Sequence, residues 1–179
     1  MTGMDKTGTT TLAAWGAEAV EHPGGTLLAH LVRTRDLLAD WGAPPYLVQA
    51  GLFHAAYGTD GFAPSLLSLD QRDVLQAEIG EEAEAFVWFY ASCDRTATYP
   101  TIGDGKSCVF RDRFLKADFT PSEQQLRDFV ELTMANELDL VSQNPDFAVL
   151  HADGFKELFG GWLDLATGPA KAYFRSVLG

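Results

Sequence analysis

Six residues combine reactive or hydrogen-bonding side chains with informative surroundings: His30, His54, Tyr57, Thr59, Arg95 and Asn136. Two imidazoles on separate helices can serve as general acid and base near neutral pH. Tyr57 can donate a proton or hold a carbonyl oxygen, and Arg95, after Asp94, can clamp a carboxylate or phosphate with two parallel hydrogen bonds. Thr59 and Asp60 fall where a helix has just ended, either as ligand contacts or as caps for the next element. Each has a plainer reading. His30 alone would be a helix-face histidine satisfied by a neighbour, Tyr57 an aromatic packed at a helix end, Arg95 half of an ion pair, and Asn136 a bridge between helices.

The elements expected to carry them are helical. Thr26 caps a helix whose Leu27, Leu28, Leu31, Leu37 and Leu38 recur at helical spacing through Trp41, with Gly42 and Pro44-Pro45 ending it. A second helix runs from about Pro45 into Tyr57, with small residues that permit close packing, and Gly58 ends it in a left-handed conformation. Ser68 with Gln71 reads as a capping box opening a helix toward Ile79. Glu81 to Cys93 follows as a helix, its Phe86, Trp88, Phe89 and Tyr90 assigned to the core. Thr120-Pro121-Ser122-Glu123 opens a long helix through Leu138, and a last one covers Pro169 to Leu178. Pro100, Gly103 and Gly105 break the stretch 99–119, read as a short β-hairpin or a loop over the pocket.

The segment Phe53-His54-Ala55-Ala56-Tyr57-Gly58-Thr59, with His30 before it and Thr133-Met134-Ala135-Asn136-Glu137-Leu138 after it, resembles the metal-binding pattern of the HD superfamily. That pattern is an earlier histidine, a His-Asp pair and a distant aspartate. The resemblance covers about 30–141 and is nearest to the hydrolase domains of stringent-response guanosine-polyphosphate enzymes. It also extends to a bacterial family marked by Phe-His-x-x-Tyr-Gly-Thr. Here Ala55 stands for the paired aspartate and Asn136 for the distant one. Losing two anionic ligands removes most of the attraction for a dication.

The resemblance implies a mainly α, HD-domain-like helical bundle with a degraded metal site. Catalytic roles fall to His54, His30 and Tyr57, and substrate binding to Thr59, Arg95 and Asn136. The expected function is metal-independent acid/base catalysis on a small, acidic organic molecule, by elimination, isomerisation, cyclisation or hydrolysis. No cofactor is expected; the one opening for a divalent metal is at His30 and His54. The alternatives are a metal-dependent phosphohydrolase and a non-catalytic small-molecule sensor or interaction module.

The 179 residues fit one domain, drawn as 12–179 behind a frayed 1–11. A net charge of −12 disfavours nucleic acid and anionic membrane surfaces. No apolar run is long enough to span a bilayer and no secretory leader is visible, so the expected location is cytoplasmic, with Cys93 and Cys108 reduced. His22 and His151 have no motif around them and are assigned structural or exposed positions.

Overall fold

The computed structural model describes residues 3–103 and 107–179. The architecture is mainly helical with two small antiparallel strand pairs. The long helix α7 (Glu123–Gln143) forms its centre, and nearly every side chain from Leu126 to Val141 on it is buried. Ser122 caps α7 in a full capping box with Gln125, two residues beyond the Thr120 start that the sequence suggested. Around it lie α2 (Leu27–Asp40), α3 (Pro45–Phe53), α8 (Pro145–Gly160) and α9 (Gly168–Leu178).

The α2–α3 pair carries both central histidines, and its closeness depends on Gly51. A Cβ there would lie 2.4 Å from Leu38 Cδ1 and 3.5 Å from the Arg35 Cα. A glycine therefore lets α3 settle onto α2 and fixes how near His54 comes to His30. Gly42, at φ +77°, turns the chain between the two helices. Helix α3 stops at Phe53, and His54 to Tyr57 form a turn in place of the last helical turn the sequence suggested.

Beyond α3, Gly58 is left-handed as expected (φ +68°), and a tight turn joins Thr59 to Phe62 by reciprocal backbone hydrogen bonds of 3.0 Å. Ser68 and Gln71 do bond to each other, but as a turn: α4 (Arg72–Ile79) starts after them, with Gln71 as its cap. Helix α5 (Glu81–Ser92) buries Phe86, Phe89 and Tyr90 in the core.

Short helix α6 (Arg95–Thr98) and a single 3-10 turn (Tyr99–Thr101) lead into the hairpin β3–β4 (Phe110–Asp112 and Ala117–Phe119). The expected hairpin is thus present within 99–119; Gly105, read as one of its breakers, lies outside the described residues.

Two elements differ from the sequence reading. Helix α1 (Gly3–Ala14) occupies the stretch assigned to a frayed end, and it is anchored where Leu12 is buried and Gly8 sits against Leu52 and Phe53. Helix α8 was not foreseen. Asn144 caps it, Pro145 begins it, and its single fully buried side chain is Phe159. The miniature pair β1–β2 (Glu21–His22 and Gly25–Thr26) turns through Pro23-Gly24, with Gly24 at φ +84°. Among the described residues no helix is long and apolar enough to cross a membrane.

Candidate functional site

The sharpest polar geometry surrounds His30, fully buried on α2. Its Nδ1 lies 2.6 Å from Asp139 Oδ2 and its Nε2 lies 2.8 Å from Asn136 Oδ1. Asn136 and Asp139 are one turn apart on α7, so both reach the same ring. The Asn136 amide is oriented by its neighbour, because Nδ2 donates to Glu137 Oε1 at 3.0 Å and a carbonyl oxygen in that place would face a carboxylate. Both His30 nitrogens are therefore engaged by side chains of α7. Arg33 closes the other side of Asp139 with bonds of 2.7 and 3.0 Å. Burial works against the Asp139 carboxylate, yet the hydrogen bonds from His30 and Arg33 outweigh it and hold its pKa below the usual range.

His54 is arranged differently. It caps α3, and its Nδ1–H donates back to the Gly51 carbonyl at 2.8 Å. Its Nε2 has no hydrogen-bond partner among the described residues, and the side chain lines a cavity of about 280 Å³. Burial and the adjacent His30 ring push its pKa down to about 3, so the imidazole is neutral and Nε2 is an acceptor. The His30 and His54 rings meet edge to face, 5.3 Å apart.

Arg95 and Glu137 form the polar wall of the same cavity, joined by a bond of 2.7 Å from Nη1 to Oε1. Asp94 caps α6 by accepting from the Ala97 N–H at 3.0 Å, and Asp60 accepts from the Arg95 backbone N–H at 2.8 Å. Thr59, Ala55 and Asn136 also line the cavity. The structure thus gathers His54, Thr59, Arg95 and Asn136 at one hollow, with His30 immediately beneath.

Two of the sequence-assigned residues are not among the cavity's lining residues. Tyr57 is not at the cavity: its hydroxyl donates to Glu84 Oε1 at 2.9 Å, and its ring packs against Trp88. His30 lies beneath the cavity with both ring nitrogens engaged, by Asp139 and Asn136. Among the described residues, no group of three or more His, Cys, Asp or Glu side chains is set to hold a metal ion.

Two cavity histidines were not assigned to the site by the sequence. His22, on β1, stacks on His30 at 4.3 Å and meets Phe62 edge-on at 4.9 Å; burial first and then His30 lower its pKa to about 4. His151 stands at the rim on α8, its ring tilted against Phe147 at 4.3 Å. Phe147, His151 and Phe155 are spaced four apart, and that i, i+4, i+8 stripe was the available signal.

A family model described as a domain of unknown function (DUF6817) matches residues 11–95. The matched stretch contains His22, His30, His54, Thr59 and Arg95, and ends before the α7 and α8 side of the cavity. No curated protein and no solved structure matches the chain.

Proposed function

We propose that this is an HD-like helical protein whose metal site has become a small-molecule site, where His54 accepts a proton without a catalytic metal. The HD-like part of the reading is supported by His30, His54, Ala55 and Asn136 converging at one place from α2, α3 and α7. Asn136 now bonds to the His30 nitrogen that would otherwise face an ion. Ala55 leaves open space where an aspartate would stand.

The observation that carries the catalytic reading is the neutral, unpartnered Nε2 of His54 on a cavity of about 280 Å³. That volume is at the small end of ligand pockets, roughly 300–1,000 Å³. A desolvated imidazole whose Nδ1–H is anchored to a backbone carbonyl has a fixed tautomer and a fixed aim, as general-base catalysis requires. A substrate proton held against Nε2 is shared with the ring only transiently, because so weak a base returns it at once, and Arg95, Glu137 and Asn136 orient what remains. Arg95 is already paired with Glu137, so the acidic substrate suggested by a free guanidinium loses its main support. Cys93 and Cys108, both free and buried, suit a reducing compartment such as the cytoplasm.

The test is turnover of a small-metabolite mixture followed by NMR, with and without chelator. The reading predicts turnover that survives chelation and is abolished in His54→Ala while helical content is retained. Turnover undiminished in His54→Ala, or lost on chelation, would overturn it.

A further inference from the structure

The free polar atoms on the cavity floor point to what the ligand must bring. His54 Nε2 is an acceptor. Glu137 Oε1 receives Arg95 and Asn136, whereas Oε2 has no partner among the described residues. The Arg95 charge is opposed by Glu137 at 2.7 Å, and the Asp60 carboxylate accepts from the Arg95 backbone. An anionic ligand would find donors at Arg95 but would leave the lone pair of His54 Nε2 and the free Glu137 oxygen unsatisfied. The remaining walls are flat: the rings of His22, Phe62, Phe147, His151 and Phe155 line the hollow. Aromatic faces attract planar groups and cations.

We propose that the cavity takes a planar nitrogen compound of the amidine class, an N–C–N edge whose two N–H groups are held by His54 Nε2 and Glu137 Oε2. This rests on the reading that the cavity is a small-molecule site, and it replaces an acidic ligand with a donor-rich, cationic one. The two acceptors take one N–H each, and the aromatic walls sandwich the attached ring. Charge-assisted bonding to Glu137 supplies the selectivity, because an isosteric carboxylate reverses both the charge and the hydrogen-bond direction.

The probes are benzamidine and benzoate, matched in size and opposite in charge, titrated into the intact chain while the His54 ring nitrogens are followed by NMR. Benzamidine is expected to shift His54 Nε2 and to bind at least about tenfold more tightly than benzoate. Glu137→Gln should erase most of that preference. Because the preference is measured in the unaltered protein, a folding defect in the variant would not remove the test. Benzoate binding as tightly as benzamidine, with His54 responding, would overturn the amidine assignment and leave the small-molecule site standing. A His54 signal that neither probe moves would overturn both.

Discussion

Two buried carboxylates, Glu84 and Glu137, each sit beside an arginine, yet their surroundings differ in what is left over. Glu84 is bound by Arg72 at both oxygens (2.7 Å each), by Gln76 at 3.0 Å and by Tyr57 at 2.9 Å. Those bonds outweigh the cost of burial and hold its pKa below the usual range. Glu137 has one oxygen engaged and one free, and shares a cavity with the free nitrogen of His54. The first cluster is closed and ties α4, α5 and the turn after α3 together. The second faces a hollow and retains bonding capacity. Residue type does not separate a structural cluster from a functional one; unused donors and acceptors beside open space do.

Acid should produce the largest effect. Burial lowers His54 and His22 from 6.5 to about 3 and about 4, so between 6.5 and those values the unfolded chain binds more protons than the folded one. Stability is complete above 6.5 and falls as pH drops toward 3. Asp139 and Glu84, with lowered pKa values, add to the loss at the acid end, while Glu131, raised by burial, opposes it. Urea midpoints measured across this range should flatten in His54→Gln and keep their slope in Tyr57→Phe. Equal slopes in both would erase the distinction between the clusters.

Glu84→Ala should cost about 3 kcal/mol of unfolding free energy, since Arg72 and Tyr57 lose their shared partner. Urea denaturation gives that cost, and benzamidine affinity should be unchanged. Gly51→Ala should cost about 2 kcal/mol by crowding Leu38. It should also displace the His54 ring signals, because α3 must move away from α2. Tyr57→Phe should cost about 1 kcal/mol and leave cavity binding intact. A loss of binding there would return Tyr57 to the site.

Much of this was legible in the chain because helical periodicity and caps report on local structure. Leu27 to Leu38, Gly42 and Gly58 marked the two rods and their ends, and the resemblance to the HD pattern was what put His30, His54 and Asn136 together. Hydrogen-bond allocation was not legible. That Tyr57 turns to Glu84, or that Asp139 and Asn136 occupy both His30 nitrogens, depends on contacts between residues 27 and more than 100 positions apart. His22 was invisible because a two-residue strand has no periodicity. Helix α8 was missed because its apolar residues form no single buried face: Phe147 and Phe155 line the cavity, Ala148, Ala152 and Leu158 pack partly against the core, and Val149 and Leu150 face solvent.

The most direct test is the protonation state of His54, read from its ring nitrogen shifts as pH is lowered. The proton should sit on Nδ1, with Nε2 bare until about pH 3. A ring that titrates near 6.5, or that carries its proton on Nε2 at neutral pH, would contradict the assignment of His54 as the acceptor facing the cavity.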